Sequence, residues 1–229
     1  HQNSNNFQVD QLAFRMKKTP TAESRAGWGA SITWGSSADT LAGRSGSDAS
    51  GDLPELTEAY ATYMFDVLDG VNLLLGRYMT PVGAESFFMN ENLNVTRGLL
   101  WTLQPVNHTG LMISGHCGTC NMDWALGVVN GYSDTMSDRD NAKGVLGGLK
   151  WSGEKVSFAT NVYWGGDTGD FTPTALYGGD FGIAHNSDSV GVLDAVLTWN
   201  PTDRFSTWAN FDFYWIHDNT GSQPIGSPQ

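Results

Sequence analysis

The chain has no apolar run of the ~18 to 20 residues that a membrane-spanning helix requires. Its densest short run, Val71-Asn72-Leu73-Leu74-Leu75, is soon closed off by Arg77. Helical membrane spans are therefore excluded. Strands are not, because a transmembrane strand needs only ~9 to 11 residues and hides its apolar half by alternation. Basic residues are scarce as well: 12 Lys and Arg stand against 24 Asp and Glu, for a formal net charge of −12. Phosphate binding relies on clustered Lys and Arg, so nucleic acid is excluded as a partner. Cysteine is nearly absent. Cys117 and Cys120 form a lone Cys-x-x-Cys followed by Asn121, where c-type haem attachment needs His. One pair cannot complete a four-thiolate zinc site either, even with His116 adjacent. A turn disulfide and free thiols both remain open readings of it. Residue 1 is His with no basic and apolar leader behind it, so an export signal is expected to have been removed or to lie outside this sequence.

Enzyme signatures are missing too. There is no His-Glu-x-x-His, Gly-x-Ser-x-Gly, Walker loop or helix-opening Gly-x-Gly-x-x-Gly, so the expectation is a protein without catalysis, cofactor or metal. A glycosidase needs only two carboxylates, a role into which Glu85 and Glu91 can be cast. Asp134, Asp138 and Asp140 share one polar segment, and Asp167 and Asp170 another; each reads as a solvated acidic loop or as carboxylates holding calcium, without the spacing of an EF-hand.

What is present is glycine, 28 residues, and tryptophan, 9 residues, in a chain of mean hydropathy −0.28. The average conceals strict alternation. Trp28, Ala30, Ile32 and Trp34 fall on one face of an extended segment, with Gly29, Ser31, Thr33 and Gly35 on the other. Val156, Phe158, Val162 and Trp164 repeat the pattern, as do Phe205, Phe211, Phe213 and Trp215. Ten strands are predicted: 7–16, 27–35, 58–67, 71–78, 108–115, 124–131, 144–151, 156–164, 189–199 and 205–216. Tight connections such as Leu68-Asp69-Gly70, Ser152-Gly153-Glu154-Lys155 and Asn200-Pro201-Thr202-Asp203-Arg204 alternate with long polar ones at 36–57, 79–107, 132–143 and 165–188. Short turns on one rim and long loops on the other are the signature of an outer-membrane barrel. Trp151, Trp164, Trp199 and Trp215 sit at strand ends, where aromatic girdles belong. The competing fold is a secreted β-sandwich with the same aromatics in its core, as in a carbohydrate-binding protein or glycosidase.

The residues also carry a resemblance. Asp10-Gln11, Trp28-Gly29, Trp34-Gly35, Pro54-Glu55-Leu56 and Ala59-Tyr60 are followed by Gly76-Arg77-Tyr78-Met79-Thr80-Pro81-Val82-Gly83-Ala84-Glu85, then by Pro105-Val106-Asn107-His108-Thr109-Gly110 and Gly127-Val128-Val129-Asn130-Gly131. In that order and spacing the set resembles the OmpL-like outer-membrane β-barrel porins, from Asp10 to about Gly131. The Cys117/Cys120 pair departs from that family's pattern. The resemblance implies an all-β, antiparallel up-and-down transmembrane barrel, with residues 1–229 as a single domain truncated at its C-terminal end. It further implies a place in the bacterial outer membrane, the bilayer and its lipids as surroundings, small hydrophilic solutes or ions as cargo, and the option of a homo-oligomer.

In such a channel the longest connection, 79–107, either folds inward and narrows the lumen or decorates the exterior. Arg77, Glu85, Glu91 and Arg97 are the constriction candidates, since charges facing one another across a narrow passage decide what passes. Alternation assigns Glu58, Asp66, Lys150, Asn161, Asp194, Asn210 and Asp212 to the lumen wall. An acidic lumen of this kind favours cations at low salt.

Overall fold

In the computed structural model, residues 7, 9–38, 54–94, 96–132, 142–166 and 189–217 are described. Ten strands run β1 Leu12–Lys18, β2 Ala26–Trp34, β3 Glu55–Phe65, β4 Val71–Met79, β5 Asn107–Cys117, β6 Met122–Val129, β7 Gly144–Ser152, β8 Val156–Gly166, β9 Ser189–Thr202 and β10 Phe205–His217. They form one sheet in strict sequence order, each antiparallel to its neighbour. Among the described residues no Greek-key crossover interrupts it, which removes the sandwich alternative. Among the described residues no pairing joins β1 to β10, so the sheet is not closed.

Local chemistry explains the meander. The β3–β4 turn closes with Gly70 donating to the Val67 carbonyl at 2.9 Å around Leu68 and Asp69, both at positive φ. This is the mirror-image turn whose twist suits two paired strands. The β5–β6 turn is closed by Cys120 N donating to Cys117 O at 3.3 Å and by the Cys117–Cys120 disulfide, which resolves the choice the sequence left open. These turns, with those after β1, β7 and β9, lie on one rim. The strand ends from which the β2–β3, β4–β5, β6–β7 and β8–β9 connections leave and return lie on the other. The aspartates at 134, 138, 140, 167 and 170 fall outside the described residues.

The two faces differ as alternation predicts. Trp28, Phe158, Val162, Leu193, Leu197, Phe211 and Phe213 are exposed on one face, which also carries the half-buried Ile32 and Trp34. The opposite face carries segment 80–106. On this inner face Tyr78, Val82, Val129, Tyr132, Leu146, Tyr163, Val190 and Val192 form a core, with Tyr60 and Tyr214 packed against it. Contributions from β3 through β10 meet in one cluster, so the sheet curves into a trough. The core fills the half of the trough next to the long connections. Towards the tight turns the same face opens to solvent, as the burial of β7 and β9 shows.

Strand β3 begins at Glu55, three residues earlier than expected, because a bulge at Thr57 lets the chain re-pair. Ser31 lies opposite Glu58 while Ile32 lies opposite Leu56. Two consecutive side chains therefore face inward: the Thr57 hydroxyl is 2.7 Å from that of Thr33, and Glu58 accepts from the Ser31 hydroxyl at 3.1 Å. Re-aiming a side chain in this way is what bulges do. At the other end of the chain's first strand, pairing starts at Leu12 and not at residue 7, since the Asp10 carbonyl is taken by Ser37 N at 2.9 Å.

Candidate functional site

Segment 80–106 is stapled to itself before it touches the wall. The Asn92 amide accepts from Ser86 N at 2.8 Å and donates to Ser86 O at 2.8 Å and Phe88 O at 3.1 Å. Glu85 accepts from Gly98 N at 2.8 Å, just ahead of helix α1, Leu99–Leu103. Arg97 donates to the carbonyls of Ser86 and, at 2.5 Å, Phe87, with its guanidinium 4.6 Å from the Trp101 ring centre. Burial pushes the Arg97 pKa down, opposed by the Glu85 carboxylate.

The stapled segment spans the trough from one edge strand to the other. On the β8–β10 side, Asn161 Nδ2 donates to Pro81 O at 2.9 Å, and Asn210 Oδ1 accepts from Ala84 N and Gln104 Nε2, both at 3.1 Å. Gln104 also donates to Asp212 at 2.7 Å. Asp194 and Asp212 lie directly opposite one another across β9 and β10, a destabilising placement for like charges. Amide donors offset it: Asn161 donates to Asp194 at 2.8 Å, Asn210 to Asp194 at 2.6 Å and to Asp212 at 3.0 Å. On the β1 side, Gln11 donates to Phe87 O at 3.2 Å and accepts from Met89 N at 2.9 Å. Arg15 pairs with Glu91 and lies 3.5 Å from Glu58, its guanidinium 3.6 Å from the Phe88 ring centre. Burial works against the charge of Glu91. The Ser86 hydroxyl, the Arg15 hydrogen bond and the charges of Arg15 and Lys17 outweigh it and hold its pKa below the ordinary value.

Between the segment and the wall lies a cavity of about 310 Å3. Its charged lining is Arg15, Glu58, Glu85 and Glu91, beside Phe87, Trp101 and Gln104. The four constriction candidates thus separate. Glu85 and Glu91 line the cavity. Arg97 is spent on loop carbonyls, and Arg77, 4% exposed and in register with Ala59 and Thr109, is buried at the end of β4. Both are corrections to the expectation that they face the passage: one guanidinium is needed to fold the loop, and the other is enclosed by the wall. Among the lumen candidates, Glu58 reaches the cavity, while Asn161, Asp194, Asn210 and Asp212 form one network that seats the β8–β10 side of the loop. Lys150 is on the inner face near the turns, in register with Asp123 and Ala159. Asp66 is not in the wall; it follows β3, its side chain 83% exposed and paired with Arg25 at 3.0 Å. The strand whose alternation would turn it inward ends at Phe65.

Gln11, Arg15, Asn92 and Gln104 were missed. Arg15 was legible in principle, since Ala13, Arg15 and Lys17 alternate with Leu12, Phe14 and Met16. The two carboxylates of the glycosidase alternative line the same cavity, and both are engaged there: Glu85 accepts from Gly98 N ahead of the helix, and Glu91 is held by Ser86 at 2.5 Å and by Arg15. Among the described residues no three His, Cys, Asp or Glu side chains converge to hold a metal ion.

An antiparallel up-and-down wall, apolar outside and carrying a folded loop inside, defines the class of β-barrel proteins with an inward connection. The chain belongs to the family described as putative beta-barrel porin-2, OmpL-like, whose model matches residues 1–227. No curated protein and no solved structure matches it.

Proposed function

We propose that the protein is an outer-membrane porin through which small hydrophilic solutes or ions diffuse passively, without catalysis or a cofactor. The observation that carries this reading is segment 80–106, tied to both sides of the trough while leaving a charge-lined cavity against β1 and β3. A wall that served only to hold the chain in a bilayer would have no need of it. The outer face supports a lipid setting. Trp199 lies eight residues from Gly191, which is in register with Trp164 and Trp215. That places two aromatic rows about 26 Å apart along the strand, or about 20 Å along the membrane normal after strand tilt. Lipid and a small solute would be its only obligatory partners, and a homo-oligomer is compatible with the outer face. The test is conductance of the purified chain in a planar lipid bilayer and permeation of small sugars into vesicles. A chain that stays monodisperse without detergent and conducts nothing would refute the reading.

A further inference from the structure

The acidic excess of the chain does not translate directly into the charge that a solute meets. Asp194 is wholly buried and bonded to Asn161 and Asn210, and Asp212 is engaged by Gln104, so the acids of β9 and β10 hold the loop and do not line open space. Solvent reaches the other side. There the cavity lining has three carboxylates, Glu58, Glu85 and Glu91, and one basic side chain, Arg15. Glu58 is fixed by the bulge at Thr57 and accepts from Ser31; Glu91 is carried in by the loop. Arg15 stands between them with its side chain 37% exposed, so its charge touches both the wall and the loop and remains accessible from the cavity. Lys17, the next basic group on the same inner face, is not part of the cavity lining.

Resting on the diffusion reading, we propose that Arg15 is the specificity-determining residue of the passage: it offsets the carboxylates of the cavity and limits an otherwise strong preference for cations. The experiment is reversal potential across a KCl gradient for the full chain and for R15Q, R15K and E91Q, at 0.1 M and 1 M salt. The unsubstituted chain prefers cations mildly. R15Q raises the cation-to-anion permeability ratio by roughly threefold at 0.1 M and by less at 1 M, where the Debye length falls to about 3 Å. R15K, which keeps the charge but loses the forked contact to two carboxylates, stays near the unsubstituted value. That separates charge from loop packing. E91Q moves the ratio the opposite way. A ratio indifferent to residue 15, or an R15K value matching R15Q, overturns the inference and leaves the porin reading standing. A folded chain with no conductance overturns the porin reading itself and this inference with it.

Discussion

Strand β9 crosses the wall with Gly191, Leu193, Ala195, Leu197 and Trp199 on the outer face, which makes it a depth gauge. Ala195 is four residues from Gly191, in register with the Trp164 and Trp215 row, and four from Trp199. With about 3.3 Å per residue and a tilt of 35–45°, each two-residue step moves roughly 5 Å along the membrane normal. An arginine at the bilayer midplane costs ~2 to 4 kcal/mol, falling to ~0 to 1 near the interfaces. Ala195→Arg should therefore shift the folding equilibrium by roughly 30- to 900-fold, at 1.36 kcal/mol per decade. Leu193→Arg and Leu197→Arg should cost less from charge, and Trp199→Arg least. Val196→Arg, one residue along but on the inner face, should cost under about 1 kcal/mol. The assay is folding into lipid vesicles followed by urea titration. A flat profile from 193 to 199, or a Val196 variant as costly as the Ala195 one, would refute the assignment of faces and with it the membrane reading.

Three further outcomes follow from the loop and turns. Gly83 has φ +91, and a Cβ there would come 2.0 Å from Gln104 Oε1, so Gly83→Ala should release the β10 side of the loop. Gly70→Ala, at φ +100 with the nearest atom 3.7 Å away, should cost only the ~1 to 2 kcal/mol of the backbone conformation; protease nicking between 80 and 106 distinguishes the two. The Glu91 pKa is lowered in the folded chain, so its stabilisation is present above the ordinary carboxyl value of 4.5 and is lost as pH falls below that through the folded value. Amide exchange over 86–92, corrected for intrinsic rate, should quicken at acid pH and lose that dependence in Glu91→Gln. Reducing Cys117–Cys120, which closes a four-residue loop, should cost no more than about 2 kcal/mol and leave β5–β6 pairing intact in the amide exchange pattern.

The ten strands and their order were legible because period-two alternation and turn chemistry are local properties, readable from Trp28 to Trp34 or from Val67 to Gly70 without knowledge of the rest. The bulge at Thr57 was not. Its cause is the pairing of Glu55 and Leu56 with β2, a tertiary fact, although Glu58 was still placed inward. Partner choice was equally hidden. Arg77 and Arg97 have the same charge as Arg15, and nothing in their neighbours along the chain says that one is enclosed, another staples carbonyls and the third faces a cavity. Asn161, Asp194, Asn210 and Asp212 were recognised as inward from alternation. That Asn161 holds Pro81 while Asn210 and Asp212 hold Ala84 and Gln104 depends on how a segment 80 to 126 residues earlier folds back across the trough.

The two attachments of that segment differ in kind. From Thr80 to Glu85 nearly every residue is committed. The Thr80 hydroxyl accepts from Val82 N at 3.2 Å, the Pro81 carbonyl is held by Asn161, and Val82 enters the inner core. Gly83 leaves room for Gln104, Ala84 N donates to Asn210, and Glu85 holds Gly98. These contacts are contiguous in sequence and largely sheltered, so salt screens them weakly. At β1 the loop is held by Gln11 and by the Arg15 pair with Glu91, whose side chains are each more than a third exposed. An exposed ion pair contributes ~0 to 1 kcal/mol and is screened by salt. The attachment at β1, beside the cavity lined by Arg15, Glu58 and Glu91, is therefore the weaker of the two, and under the porin reading proposed above it is the one expected to loosen first as salt rises.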